Sequence, residues 1–171
     1  SDQQVIFLGR KRTIFDVMVF ISGMASLGVA ALIGIYLIWL TDQTMLLIGL
    51  VGLLGAYAYT GEPFVFKRYG LGVPLSFLLM GPLMNFGAWY GVTGQLSWFP
   101  VVFGLPISFF VPALMLSNEI RDITDDSLCG VGTLSVRLGR NWSIILFDIL
   151  IAGAFILTLW YIRIGIYPYR S

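Results

Sequence analysis

The sequence contains no histidine, one cysteine and few charged residues. The absence of histidine excludes histidine-ligated metals and a histidine general base within these residues. A single cysteine, Cys129, excludes an internal disulfide and a multi-cysteine zinc or iron–sulfur site. Charged residues make up 11% of the chain, whereas soluble domains carry about 25%. The net charge of +1, without any basic run, gives no indication of nucleic-acid binding.

Long apolar runs occupy most of the chain, which is 58% hydrophobic. Runs of about 20 apolar residues are typical of membrane-spanning helices. We therefore predict an all-α membrane protein with one transmembrane domain over residues 1–171. About five spans are expected, at residues 14–40, 43–60, 72–93, 98–117 and 142–162.

The predicted membrane spans contain prolines and an asparagine, residue types that are unusual inside an apolar helix. Pro82, Pro106 and Pro112 lie within spans and are expected to bend them. Asn85 lies in the third span, where it either lines a cavity or makes an interhelical hydrogen bond. The sequence leaves both interpretations of Asn85 open.

The basic residues are distributed unevenly between the two sides of the predicted bundle. With five spans, the N-terminus, the second-to-third connection and the fourth-to-fifth connection share one side. That side carries eight of the ten basic residues: Arg10, Lys11, Arg12, Lys67, Arg68, Arg121, Arg137 and Arg140. The other side carries Arg163 and Arg170. Because positive loops stay on the cytoplasmic side, we expect the N-terminus and the fourth-to-fifth connection there, in a bacterial inner or cell membrane.

The fourth-to-fifth connection, NEIRDITDDSLCGVGTLSVRLG, runs from Asn118 to Gly139 and is called the Asp-rich segment below. Asn118, Asp122 and Asp126 are spaced four apart, which on a helix places their side chains about 6 Å from one another on one face. Such oxygen-bearing groups suit Mg²⁺, which takes carboxylate and phosphate oxygens, and Arg121 adds a fork that can hold phosphate. The alternative is a solvated connector of mixed charge.

The second-to-third connection, residues 59–72, is called the Lys67 segment below and reads YTGEPFVFKRYGLG. Lys67 and Arg68 are adjacent cations expected on the same side as the Asp-rich segment. A diphosphate requires both a metal and cationic partners, so the two segments together are interpreted as one site. The alternative is that the two cations set topology or meet anionic lipid headgroups.

Three blocks of the sequence resemble the UbiA superfamily of intramembrane prenyltransferases. The Asp-rich segment is similar to that superfamily's second Asp-rich motif, in the branch that prenylates 1,4-dihydroxy-2-naphthoate for menaquinone. That branch reads roughly NNxRDxxxDxxAGxxTLAxRLG. AYAYTGEPFVFKRYGLG resembles YxYTGGPxPxxYxGLG, and MGPLMNFGAWYGVTGQLSW resembles FGPxxxxGxYYxQTGxxSW. The blocks occur in family order from about residue 10 to 162.

The resemblance implies Mg²⁺-dependent transfer of a polyprenyl group from its diphosphate to an aromatic quinone precursor. Asp122, Asp126 and Asn118 would bind metal and diphosphate, and Lys67 and Arg121 would contact phosphate oxygens. Tyr59 would lie near the reacting centre, so that Asp122, Asp126 and Tyr59 form the expected catalytic set. The lipid tail would lie between helices.

The sequence also departs from the family pattern. The first Asp-rich motif, NDxxDxxxD, does not occur in these residues, and eight or nine spans would be expected where five are predicted. Glu119 replaces the second Asn, where it either adds a ligand or disturbs the charge balance, and Glu62 replaces a Gly.

Three hypotheses therefore follow. The chain is part of a prenyltransferase whose other helices lie elsewhere, so that it is not competent alone. It is instead a non-catalytic membrane subunit that packs against other subunits and binds quinone or lipid. Or it is an unrelated small membrane protein.

Overall fold

A short β-strand pair precedes the first helix of the chain. The computed structural model describes residues 4–7 and 10–168, and Arg170 lies outside them. Contacts divide the chain into a unit of residues 1–43 and a unit of residues 44–171. In the first unit, β1 (Gln4–Phe7) pairs antiparallel with β2 (Arg10–Thr13), Gln4 opposite Thr13, and α1 (Ile14–Leu40) follows. This strand pair was not among the predicted elements, although Val5, Ile6 and Phe7 are strand-forming residue types.

The second unit is helical throughout its described elements, and α2 begins one residue before its boundary. Between α2 and α9 the chain includes a 3-10 turn after α2 and a π-helical segment between α3 and α4. The elements are α2 (Gln43–Thr60), the 3-10 turn Phe66–Tyr69, α3 (Gly72–Leu78), the π segment Leu79–Leu83, α4 (Met84–Thr93), α5 (Phe99–Ser108), α6 (Phe110–Arg121), α7 (Ile123–Leu128), α8 (Leu134–Leu138) and α9 (Arg140–Arg163).

The prediction of a helical membrane protein is confirmed. Among the described residues, three helical stretches are long and apolar enough to cross a membrane: Val17–Leu40, Phe99–Arg121 and Arg140–Arg163. The apolar helix at Gln43–Tyr59 is shorter, and residues 72–93 form three consecutive helical segments rather than one regular helix. The total of five membrane spans therefore stays a prediction.

Prolines account for the irregular turns within the helical stretches. Pro82 lies in the π segment and has no N–H to donate, so the turn around it cannot keep the regular α-helical bonding pattern. A second break separates α5 from α6 at Phe109, whose N–H reaches the Pro106 carbonyl at 3.4 Å. The π segment packs against α5, and Gly81 within it is buried, so part of this irregular backbone is covered by protein, as the bilayer requires.

Small side chains allow the helices of the second unit to pack closely. Helix α6 packs against α3 and α9, and α5 packs against the π segment. The buried core residues are Ala58, Val73, Tyr90, Ala113, Leu116, Ala154 and Tyr161. Asn85 donates a hydrogen bond to Ser108 Oγ at 3.3 Å, so of its two interpretations the interhelical hydrogen bond is the one observed. This packing brings the ends of α2, α3, α6 and α8 to the candidate site.

Candidate functional site

The Lys67 segment and the Asp-rich segment are in direct contact. Arg137, near the end of the Asp-rich segment, donates from Nε to the Gly132 carbonyl at 2.9 Å and from an Nη to the Arg68 carbonyl at 3.3 Å. A Cβ at Gly132 would lie 2.7 Å from the Arg68 carbonyl oxygen, so the two backbones meet at this point. The second-to-third and fourth-to-fifth connections therefore share one end of the bundle.

The helix that carries the oxygen-bearing side chains is interrupted at Asp122. Helix α6 ends at Arg121 and α7 begins at Ile123, while Asp122 has φ −92° and ψ 9°. The Asp122 N–H nevertheless donates to the Asn118 carbonyl at 3.0 Å, and the Asp126 N–H donates to the Asp122 carbonyl at 2.9 Å. The predicted spacing of four is therefore preserved in the backbone bonding, although the expected continuous helix is not present.

Asp122 is paired with its neighbour in sequence. Arg121 donates from Nε and an Nη to the two carboxylate oxygens of Asp122, at 2.7 and 3.0 Å. This fork holds the pKa of Asp122 below its usual range. The side chains are 70% and 46% exposed, respectively, so both remain accessible to a ligand at the membrane surface.

Glu119 is buried at the centre of the site, with 4% of its surface exposed. Its Oε2 accepts a hydrogen bond from the buried backbone N–H of Ser135 at 3.1 Å, and the Leu134 N–H also contributes. Its Oε1 is buried and has no hydrogen-bond partner among the described residues. A carboxylate in such a position stabilises the first turn of α8 while carrying a large desolvation cost.

Tyr59 lies beside Glu119 at Gly72. A Cβ at Gly72 would lie 3.5 Å from the Tyr59 hydroxyl and 3.6 Å from Glu119 Oε1. Glycine at this position therefore lets the first turn of α3 approach both side chains. The end of α2, the start of α3 and the end of α6 converge here.

Charge interactions connect the remaining predicted site residues to this centre. Glu119 interacts electrostatically with Asp126 and Lys67, and Tyr59 interacts with Asp126. Lys67 also acts on Asp122. Tyr59, Lys67 and Asp126 are therefore close enough to Glu119 for their charges to interact with it, and Asp122 is connected to this group through Lys67. The predicted residues Asn118 and Arg121 lie on the last turn of α6, the first half-buried and the second exposed.

The donor set suits a magnesium ion that is bound together with a phosphate ligand. No group of three His, Cys, Asp or Glu side chains within the described part of the chain could hold a metal alone. Proteins usually bind Mg²⁺ through one or two carboxylates and complete the shell with water and substrate phosphates. Asp122 and Asp126 could supply such carboxylates, and Lys67 could supply the cation that a diphosphate requires.

An apolar groove lies in the second unit between α2, the π segment and α4. Its volume is about 380 Å³. It is lined by Leu47, Ile48, Val51, Leu78, Pro82, Leu83, Phe86 and Trp98. These side chains offer hydrocarbon and aromatic contacts of the kind that suit an apolar ligand or another helix.

Comparison with known families decides where the chain belongs. The profile of the UbiA prenyltransferase family matches residues 11–169. The chain belongs to the UbiA prenyltransferase family. The family resemblance predicted from the sequence is therefore confirmed, and the third hypothesis, an unrelated small membrane protein, is wrong. Together with its apolar helices, this makes the chain an integral membrane protein.

Individual UbiA relatives match over most of the chain. It is 32% identical over 133 residues to a 1,4-dihydroxy-2-naphthoate octaprenyltransferase of Bacillus subtilis, a match covering 78% of this chain and 43% of the relative. It is 34% identical over 116 residues to the human UbiA prenyltransferase domain-containing protein 1, covering 68% and 34%. A naphthoate octaprenyltransferase of Mycobacterium tuberculosis is 29% identical over 140 residues, covering 82% and 48%. The chain thus spans less than half the length of these relatives, and no solved structure matched it.

In this UbiA-family chain, two residues have structural roles at the candidate site that were not predicted from the sequence. Glu119 was noted as a departure from the family pattern, and the acidic residue at an otherwise amide position was the signal that could have identified it. Arg137 was interpreted as one of the basic residues that orient the protein in the membrane. Its contact with Arg68, 69 residues away, has no signal in a single sequence.

Proposed function

We propose that the chain contributes to magnesium-dependent transfer of a polyprenyl group from its diphosphate to an aromatic acceptor of the 1,4-dihydroxy-2-naphthoate type. The observation that supports this proposal is the direct contact between the Lys67 segment and the Asp-rich segment, with Lys67 close enough to interact with both Asp122 and the buried Glu119. The names of the naphthoate octaprenyltransferase relatives support the choice of acceptor.

Each predicted residue has a role in this proposal. Asp122 and Asp126, with Asn118, would hold Mg²⁺ against the diphosphate, and the bound ion would neutralise charge on the leaving group. Lys67 and Arg121 would donate to phosphate oxygens. For Arg121 this requires its guanidinium to leave or share the carboxylate of Asp122, to which it donates.

Tyr59 and the apolar groove would position the organic parts of the substrates. The Tyr59 hydroxyl lies beside Glu119, and we assign Tyr59 to the neighbourhood of the allylic carbon, where it would order the reacting groups. The groove of about 380 Å³ offers hydrocarbon contacts to an isoprenoid tail.

Orientation and competence are also part of the proposal. The excess of basic residues favours a cytoplasmic position for the Asp-rich segment and the N-terminus, in a bacterial inner or cell membrane. The 171 residues contain one Asp-rich motif of the two in the family pattern, so we expect them to bind a diphosphate without transferring the prenyl group unaided. Further helices or subunits would complete the site.

A non-catalytic subunit with a structural or quinone-binding or lipid-binding role is the second candidate. The observation in its favour is that no three metal-ligating side chains come together within the described residues. The subunit would pack its apolar helices against other membrane subunits, and its groove would hold a quinone or lipid.

The test uses purified chain in lipid nanodiscs with a radiolabelled polyprenyl diphosphate, dihydroxynaphthoate and MgCl₂. Magnesium-dependent binding that is lost in Asp122→Asn and retained in the matched control Asp125→Asn would support the proposal. Asp125 is exposed on α7 and is not part of the four-residue spacing that connects Asp122 with Asp126. Magnesium-independent binding, unchanged in Asp122→Asn, would favour the second candidate. Release of diphosphate by the chain alone would contradict the inference about competence.

A further inference from the structure

Arg137 connects the two segments of the candidate site through their backbones. Its Nε donates to the Gly132 carbonyl at 2.9 Å within the Asp-rich segment, and an Nη donates to the Arg68 carbonyl at 3.3 Å in the Lys67 segment. Arg68 follows Lys67 directly, so the second bond acts on the backbone that carries the Lys67 side chain. The two carbonyls are separated by more than sixty residues in sequence.

Two glycines make room for this contact. A Cβ at Gly132 would lie 2.7 Å from the Arg68 carbonyl oxygen and 3.1 Å from an Nη of Arg137. A Cβ at Gly70 would lie 2.8 Å from Cδ of Arg137, and Gly70 also has φ +76°. Any larger residue at Gly132 would have to push against backbone, which cannot move without separating the two segments.

The other end of the same short helix is held by Glu119. The Glu119 carboxylate accepts from the Ser135 N–H in the first turn of α8, while Arg137 extends from the last turn. Helix α8 is therefore fixed to the end of α6 on one side and to the Lys67 segment on the other. Since Asn118 and Asp122 adjoin that end of α6, α8 links the predicted anion-binding and metal-binding groups.

Arg137 has no carboxylate partner among the described residues. The ion pair found there is that of Arg121 with Asp122. Two of its donors are directed at neutral carbonyls. A guanidinium used in this way fixes geometry through its planar fork, which a lysine cannot reproduce.

We propose that Arg137 is a positioning residue, which holds the Arg68 backbone and thereby places Lys67 beside the Asp-rich segment. Its effect on ligand binding rests on the function proposed above, whereas its effect on the Lys67 segment does not. The experiment therefore has one measurement for each.

The first measurement is hydrogen exchange of the Arg68 and Leu71 amides. They donate to the carbonyls of Val65, just before the 3-10 turn, and of Phe66, its first residue. The second is the affinity for inorganic pyrophosphate in MgCl₂. Both are made on the full chain in nanodiscs. The variants are Arg137→Lys, Arg137→Ala and Gly132→Ala. Their matched controls are Arg140→Lys and Gly153→Ala. Arg140 is exposed, and its side chain makes no hydrogen bond or ion pair with the described residues, while a Cβ at Gly153 meets ordinary contacts at 3.9 Å.

We expect Arg137→Lys and Gly132→Ala to speed exchange of these amides roughly fivefold, as for the loss of one hydrogen bond. Both should weaken pyrophosphate binding roughly tenfold, the lower end of the effect of losing a residue that orients ligands. The controls should match the wild type. Gly132→Ala is the decisive variant because it leaves every charge in place.

Exchange in Arg137→Lys equal to that of the wild type would overturn the proposal. So would pyrophosphate affinity that is kept by Arg137→Lys and lost in Arg137→Ala, because the charge itself would then bind phosphate. If exchange rises as expected but the wild type does not bind pyrophosphate, the positioning role stands and the proposed function fails.

Discussion

Replacing Glu119 separates the contribution of its hydrogen bond from that of its charge. Glu119 is 4% exposed, and its Oε2 accepts from the N–H of Ser135, a residue with no exposed surface. Glu119→Ala removes the acceptor and leaves a buried donor without a partner, which costs about 1–3 kcal/mol. Glu119→Gln keeps an oxygen that can accept from Ser135.

The charge itself is expected to add little to stability. Oε1 of Glu119 has no hydrogen-bond partner among the described residues, so half of the carboxylate is desolvated without compensation. Replacing a buried charge by a neutral isostere is often neutral or stabilising when hydrogen bonds are kept. We therefore expect the free energy of unfolding of Glu119→Gln to lie within about 1 kcal/mol of the wild type.

The measurement is reversible unfolding in mixed micelles, followed by tryptophan fluorescence. Glu62→Ala, at an exposed carboxylate, is the matched control and should leave stability unchanged. The reasoning would be refuted if Glu119→Ala were as stable as the wild type, or if Glu119→Gln were as destabilised as Glu119→Ala. The second result would mean that the charge, rather than the Ser135 bond, holds α8.

Three further predictions follow from individual contacts. A Cβ at Gly104 would collide with the side-chain amide of Asn85, so Gly104→Ala should lower the free energy of unfolding by about 1–3 kcal/mol, measured by thermal denaturation. The double variant Gly104→Ala/Asn85→Ala should recover this loss. Asp122→Asn should weaken magnesium-dependent pyrophosphate binding by roughly tenfold or more, measured by calorimetry, whereas equal binding would remove Asp122 from the site. Arg121 lowers the pKa of Asp122, so their pairing stabilises the fold above the ordinary carboxyl pKa of about 3.9 and is lost as pH falls through the lowered value. Carboxyl NMR of Arg121→Gln should show Asp122 titrating at higher pH, and an unshifted titration would contradict this.

The helices could be predicted because long apolar runs leave few other structures in a membrane. The predicted starts at residues 14, 43 and 72 coincide with those of α1, α2 and α3. Pro82 predicted the irregular turn in the third span, residues 72–93, because proline lacks the backbone N–H wherever it occurs. The β pair at residues 4–13 was missed because it depends on pairing between two four-residue segments.

The sequence predicted most of the residues of the candidate site, but not their backbone geometry or their burial. Spacing of four anticipated the backbone bonds from Asn118 to Asp126, yet the interruption at Asp122 depends on the torsion angles of one residue. Lys67 was chosen because its charge is expected on the same side as the Asp-rich segment, whereas the choice of Tyr59 rested on the family resemblance. The burial of Glu119 against Ser135 depends on tertiary packing, which no local pattern records.

The close approach at Gly81 has a consequence for how these sequences can diverge. A Cβ at Gly81 would lie 2.7 Å from the Cβ of Ser108 on the neighbouring helix, and Ser108 also accepts the Asn85 hydrogen bond. A larger residue at one of these positions can be accommodated only if its counterpart shrinks or the helices separate. Positions 81 and 108, and likewise 85 and 104, should therefore change in concert across homologues, as spatially adjacent pairs do.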